Sequence, residues 1–236
     1  MSDDDAEVAD EPEPAGRRPL KTRGWLVFQR IANRLAKSGV TPNVISAASV
    51  LFAVVSGCCL AATAQVDDDV ARRALWFAAA VFIQLRLIAN LLDGMVAIEG
   101  GKASAVGELF NEVPDRLSDP AILIGAGFSY GGCPILGLTA ALVAVFVAYV
   151  RAIGASVGAG QVFLGPFAKP QRMAVMTIVC VANSLLPADW NPIHEASQLG
   201  IAGGALILIA VGGGVTAIRR LRKIASAMRN QWDSSK

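Results

Sequence analysis

Six long apolar segments constrain the fold of this chain more than any other feature of its sequence. A helix that crosses a bilayer needs about 20 mostly apolar residues. Hydrophobic residues make up 54% of the chain and charged residues only 17%, below the roughly 25% of an ordinary soluble domain. The sequence predicts an all-α integral membrane protein with six transmembrane helices, in preference to a soluble protein with an unusually apolar core. The predicted spans are 43–64, 74–97, 105–128, 134–156, 172–187 and 199–218.

Two different stretches precede the first apolar segment. Residues 1–23 are acidic and contain few large apolar side chains, so we expect a disordered acidic tail. Residues 24–37, GWLVFQRIANRLAK, place apolar side chains at helical spacing opposite basic and amide ones. This pattern predicts an amphipathic interfacial helix before the first span. One membrane domain then covers 24–224, and 225–236 are expected as a cytoplasmic C-terminal tail.

Lysine and arginine are distributed unevenly between the predicted loops. The N-terminal region, the loops at 98–104 and 157–171 and the C-terminus carry nearly all of them, whereas the three opposite loops hold only Arg72 and Arg73. By the positive-inside bias, both termini are cytoplasmic, and we expect an inner (plasma) membrane protein. The net charge of +2 reflects this gradient and does not indicate nucleic-acid binding.

Oxygen-bearing side chains cluster where the second and third spans meet. Asn90 and Asp93 lie three residues apart on one helix face, and Asn111 and Asp115 lie four apart on another. The glycine-bearing turn between the two helices brings both faces to one depth. Carboxylates inside a membrane protein need counter-charge, and hard oxygen ligands suit magnesium or manganese. A purely structural cluster that joins two helices through hydrogen bonds is the alternative.

The spacing of this cluster resembles the signature of the CDP-alcohol phosphotransferase family, D-x-x-D-G-x-x-A-R, eight residues, then G-x-x-x-D-x-x-x-D. The match runs without a gap from residue 90 to residue 115. The stretches TPNVIS and AYVRAIGASVG also resemble family segments. Three positions depart from the pattern, because Asn90, Ile98 and Asn111 stand where the family has Asp, Arg and Asp.

The resemblance implies six spans, a homodimer and a metal-dependent enzyme of phospholipid biosynthesis. Such an enzyme transfers a phosphatidyl or related phosphoryl group from a CDP-linked lipid to an alcohol acceptor and releases CMP. It implies Asp115 as the general base. The implied metal ligands are Asn90, Asp93, Asn111 and Asp115, and the implied nucleotide-binding residues are Asp93, Gly94, Ala97 and Gly107. Two asparagines leave charge for one Mg²⁺ or Mn²⁺ ion rather than two, or for a second ion only when a substrate diphosphate supplies negative charge.

Basic residues near the same depth extend the predicted site. Arg151, Lys169 and Arg172 are expected to bind a phosphate on the acceptor, although the positive-inside bias alone also places basic residues there. Arg86 lies four residues before Asn90 and Asp119 lies four after Asp115. Both are possible compensating charges, with structural ion pairing and participation in the site equally open.

The departures from the motif leave a second function open. A catalytically weakened family member would act as a nucleotide-lipid-binding or partner-binding membrane protein without turnover. The two asparagines and Ile98 are the observations behind this alternative.

Overall fold

The computed structural model describes residues 26–99, 107–186, 193–194 and 196–234; of residues 98, 99 and 107–111 it describes the backbone only. These residues form seven α-helices, with an isolated bridge between His194 and Leu199. The predicted acidic tail at 1–23 lies outside the described residues. The helices are α1 (Leu26–Lys37), α2 (Pro42–Ala62), α3 (Asp69–Glu99), α4 (Gly107–Gly127), α5 (Pro134–Ser156), α6 (Lys169–Leu185) and α7 (Ile201–Ser234).

Helices α2 to α7 coincide with the six apolar segments, and four of them are long and apolar enough to cross a membrane. These four are Pro42–Ala62, Asp69–Ala97, Pro134–Ser156 and Ile201–Ser234. Helix α4 contains several charged residues and two internal prolines, and α6 is short. For α4 and α6, membrane crossing therefore stays a prediction. The predicted domain boundary at 224 lies inside α7, which continues without a break to Ser234.

The outer faces of the long helices are apolar. Leu51 on α2, Ile135 and Leu142 on α5 and Val211 on α7 each expose 60–74% of their surface. Helices that are hydrophobic on both the inner and the outer face are typical of membrane spans. These exposed apolar side chains therefore lie where lipid tails would contact the bundle.

The first helix packs along the second half of α3. Ala32 is fully buried there with Ala89, Leu92 and Val96 of α3, and Phe28 packs beside them. Its basic side chains lie on the other side, as the amphipathic pattern predicts. Leu26, Val27 and Ile31 of α1 stay exposed, and the location of this helix at a membrane interface stays a prediction.

Small residues allow the central helices to approach closely. At the crossing of α2 and α4, a Cβ atom built on Gly125 would lie 2.3 Å from the backbone oxygen of Gly57. At the crossing of α4 and α5, a Cβ on Gly127 would lie 2.9 Å from the Cα of Gly137. Close backbone approach through small residues is common in membrane bundles. These two crossings fix the position of α4, which carries most of the acidic side chains of the site.

Candidate functional site

Asp93 is buried near the C-terminal end of α3, with only 4% of its surface exposed. The hydroxyl of Ser46 on α2 donates a hydrogen bond of 2.7 Å to its Oδ2 atom. The backbone N–H of Gly94 donates to Oδ1 at 2.6 Å. Among the described residues, none forms an ion pair with Asp93. Asp93 is therefore a buried carboxylate that neutral donors hold in place.

Gly94, the residue after Asp93, is loosely surrounded. A Cβ atom built on Gly94 would meet no heavy atom within 4 Å, and Asn90, one turn earlier on α3, is half-buried. Ala97 is also half-buried on the same helix. The predicted ligand residues Gly107 and Asn111 and the side chain of Ile98 lie outside the residues whose side chains are described. On the α3 half of the predicted motif, Gly94 is therefore not packed against another described residue.

Asp115 on α4 is held by two cations instead. The Lys169 Nζ atom lies 2.5 Å from each of its carboxylate oxygens. The Arg86 Nη2 atom lies 3.0 Å from its Oδ1. The side chains of Asp115 and Lys169 are 12% and 24% exposed, so a ligand can reach this ion pair. Asp115 is thus more accessible than Asp119, although Glu112 on the same helix is more exposed still.

Asp119, one turn further along α4, is enclosed by two arginines. Arg86 Nη2 lies 2.7 Å from its Oδ1, and Arg172 Nη2 lies 2.6 Å from its Oδ2. The side-chain exposures of Arg86, Asp119 and Arg172 are 0%, 4% and 3%. Arg172 also donates to the backbone oxygen of Phe167. This part of the cluster is closed to ligands, so Arg172 lies against Asp119 and not in an open phosphate pocket.

Arg151, the third predicted phosphate-binding residue, pairs with Glu112 on α4. Glu112 also pairs with Arg116 four residues later on the same helix. The Arg151 side chain is 23% exposed and its guanidinium lies 5.7 Å from the centre of the Phe163 ring. Because Glu112 precedes Asp115 by three residues, Arg151 lies on the same side of α4 as the Asp115–Lys169 pair.

Two contributors are absent from the sequence-based prediction. Ser46 stands in the TPNVIS stretch, so the resemblance of that stretch to a family segment is the signal that indicates it. Arg116 has only its spacing from Glu112 as a signal, an i to i+4 relation that is common on helix surfaces.

The described residues fit at most one divalent ion. They contain no group of three His, Cys, Asp or Glu residues placed around one point. Asp93 has no cationic partner among them and can contribute a carboxylate oxygen to an ion, together with the carbonyl oxygen of Asn90. The oxygens of Asp115 already contact Lys169 and Arg86, which repel a second cation. Among the residues whose side chains are described, Asp93 is therefore the acid of this cluster that is left for a divalent ion.

A scan against protein-family models finds no match for this chain. Among curated proteins, the phosphatidylinositol phosphate synthase of Mycolicibacterium smegmatis is 22% identical over 205 residues, which cover 84% of this chain and 83% of that protein. The inner membrane protein YnbA of Escherichia coli is 24% identical over a match that covers 66% of this chain and 76% of that protein. The archaetidylinositol phosphate synthase of Pyrococcus horikoshii is 25% identical over a match that covers 67% of this chain and 78% of that protein.

The fold is that of a solved phosphatidylinositol phosphate synthase from Mycobacterium tuberculosis. Its complex with manganese and citrate superposes with a TM-score of 0.66 at 20% identity, over 84% of this chain and 88% of that one. The structure with CDP-DAG bound gives a TM-score of 0.64 at 20% identity, over 84% and 93%.

The sequence relatives and the shared fold indicate the CDP-alcohol phosphotransferase family, which confirms the resemblance predicted from the motif spacing. With four helices long and apolar enough to cross a bilayer, the chain is an integral membrane protein.

Proposed function

We propose that this protein transfers a phosphatidyl group from a CDP-linked lipid to an alcohol acceptor and releases CMP. The observation that carries the proposal is the pair of acids on neighbouring helices. Asp93 on α3 is held by neutral donors next to Gly94, where a Cβ would meet no heavy atom within 4 Å, and Asp115 on α4 is a partly accessible acid paired with a lysine. Relatives named as phosphatidylinositol phosphate and archaetidylinositol phosphate synthases, and a similar fold with CDP-DAG bound, support this assignment.

The α3 side of the site is the nucleotide side in this proposal. Asp93 is fixed by Ser46 and by the Gly94 backbone N–H, so its carboxylate is ordered before any ligand arrives. The absence of a side chain at Gly94 leaves room for the nucleotide to approach the helix backbone. The manganese in a relative's structure supports a divalent cofactor. One Mg²⁺ or Mn²⁺ at Asp93, Asn90 and Asn111 would offset charge on the diphosphate when bound.

Asp115 is the proposed proton acceptor. The acceptor hydroxyl oxygen forms a bond to the phosphorus of the phosphatidyl group, the bond from that phosphorus to the CMP oxygen breaks, and the hydroxyl proton passes to Asp115. A general base needs hydrogen-bond reach to that proton and a free lone pair. Lys169 contacts both Asp115 oxygens and Arg86 contacts Oδ1, so Oδ2 keeps a lone pair for the proton, and withdrawal of the lysine would make this oxygen more basic.

Lys169 and Arg151 are the proposed binding residues for an anionic group on the acceptor. Both side chains are about one quarter exposed, and a phosphate attracts an ammonium or a guanidinium strongly. An acceptor phosphate that draws Lys169 towards itself would release Asp115 at the moment when the hydroxyl arrives. Arg172 is buried against Asp119, so in this proposal its role is structural.

The same contacts favour a second candidate function. Asp115 is paired with two cations, and three motif positions are not the acids or arginine of the family pattern. A family-derived membrane protein that binds a nucleotide lipid without turnover is consistent with both observations.

Release of CMP separates the two candidates. Purified protein is incubated with radiolabelled CDP-diacylglycerol, Mn²⁺ and a panel of phosphorylated and unphosphorylated alcohols. We expect CMP release by the wild type, and at least a 100-fold loss in Asp115→Asn, about the contribution of a general base. A silent wild type combined with activity in the double variant Asn90→Asp/Asn111→Asp would replace the catalytic assignment by the binding one.

The membrane arrangement is part of the proposal. The lysine and arginine distribution supports cytoplasmic termini and a site that opens to the cytoplasm of an inner (plasma) membrane. Stretches rich in glycine and alanine, such as GIAGGALILIAVGGG in α7, support close packing with a second copy in a homodimer. Cysteine-accessibility labelling of the two termini in intact cells and detergent-solution mass measurements test these two points.

A further inference from the structure

Arg86 lies inside α3, within the candidate membrane span Asp69–Ala97, and none of its surface is exposed. An ionised side chain at such a place is costly unless it faces a partner of opposite charge. A single guanidinium nitrogen, Nη2, lies 3.0 Å from Asp115 and 2.7 Å from Asp119. One cationic group therefore bridges two carboxylates that stand one helical turn apart on α4.

The charges around this bridge are balanced by the chain itself. The two carboxylates of α4 face three cations, because Lys169 and Arg172 of α6 contact Asp115 and Asp119 from the other side. Repulsion between the acids is relieved without any added ion.

We infer that Arg86 is a built-in counter-ion that does the work of a divalent metal at Asp115 and Asp119. It holds the two acids of α4 on α3, so the bundle folds and keeps this cluster ordered without metal there. A divalent ion has no place between Asp115 and Asp119 while the guanidinium is present. The inference concerns metal binding and stability, and it does not depend on which reaction the protein catalyses.

The test counts the Mn²⁺ ions bound by chains in which Asp93, the acid on α3, is replaced. In the Asp93→Asn variant, Asp115 and Asp119 are the remaining acids of the cluster, and Arg86 and its two partners are intact. Mn²⁺ is titrated into this variant in detergent without nucleotide, and the free ion is followed by electron paramagnetic resonance. We expect no bound Mn²⁺, and a melting temperature that is the same in chelator and in excess Mn²⁺.

Removal of the guanidinium should destabilise the bundle. Methionine has a similar length without charge, so Asp93→Asn/Arg86→Met removes the bridge and leaves each acid with one cation, Lys169 on Asp115 and Arg172 on Asp119. We expect this variant to melt about 10 °C lower than Asp93→Asn in chelator. Asp93→Asn/Arg86→Lys, which keeps the positive charge, should bind no ion.

Arg73 offers a matched control on the same helix. Its side chain is 38% exposed and lies 4.0 Å from Asp69, so Asp93→Asn/Arg73→Met makes the same chemical change away from the cluster. It should bind no Mn²⁺ and show no metal-dependent melting. Binding of Mn²⁺ by Asp93→Asn itself would overturn the inference, even where the Arg86→Met chain does not fold. A folded Asp93→Asn/Arg86→Met chain that melts as high as Asp93→Asn in chelator would overturn it as well.

Discussion

The crossing of α2 and α4 leads to a quantitative prediction for Gly125→Ala. The new Cβ atom would lie 2.3, 2.5 and 2.7 Å from the oxygen, Cα and carbonyl carbon of Gly57. All three are backbone atoms, so no side-chain rotation relieves the clash. Ordinary carbon contacts need about 3.5 Å, and the two helices must therefore separate by about 1 Å.

Overpacking of this kind costs about 3 kcal/mol when backbones must move. For a chain of this size, that corresponds to a melting temperature lower by about 6–12 °C. The effect should also reach the site, because α2 carries Ser46 and α4 carries Asp115. Thermal unfolding in detergent, followed by tryptophan fluorescence, measures the change.

Gly204→Ala on α7 is the matched control for this substitution. A Cβ atom built on Gly204 meets nothing within 4 Å, and alanine is favoured over glycine in a helix by about 0.5–1 kcal/mol. The control should melt at or slightly above the wild-type temperature. A Gly125→Ala protein that melts as high as this control would refute the close crossing of α2 and α4.

Three further predictions concern single side chains. Ser46→Ala removes the donor to Asp93 and should cost about 1–3 kcal/mol in unfolding free energy; an unchanged denaturant midpoint would argue against that hydrogen bond. Lys169→Met should raise KM for a phosphorylated acceptor about 10–100-fold and change KM for the CDP-lipid little. Equal increases in the two KM values would contradict the proposal that Lys169 binds the acceptor. Arg220→Met should destabilise the bundle by about 3 kcal/mol, because two backbone oxygens, one in α5 and one before α6, lose a buried donor. Thermal unfolding checks the last value, and a loss below about 0.5 kcal/mol would contradict it.

The positions of the helices can be predicted from the local sequence. Apolar runs of span length and the amphipathic pattern of residues 24–37 depend only on neighbouring side chains, and α1 to α7 lie where these patterns predict. The ends are less well predicted. Helix α3 begins at Asp69 instead of residue 74, and α7 continues to Ser234, because polar residues can extend a helix beyond the apolar run.

The motif spacing also indicated, before any tertiary information, which face of each helix carries the acids. Residues three or four apart share a helix face whatever the helix packs against. Asp93 on α3, and Asp115 with Asp119 on α4, follow from this rule alone. The clustering of acids further predicts a cation close to them, and a metal ion is one candidate for that cation.

Only the tertiary structure decided which cations those are. Arg86, Lys169 and Arg172 lie between 29 and 54 residues from the acids they contact, and no local period relates them. Their pairing depends on how closely α2, α4 and α5 approach through their glycines and on where α6 packs against α3. Of the two roles open for Arg86, the packing selects the ion pair, because a guanidinium with no access to water must meet its counter-charge inside the bundle.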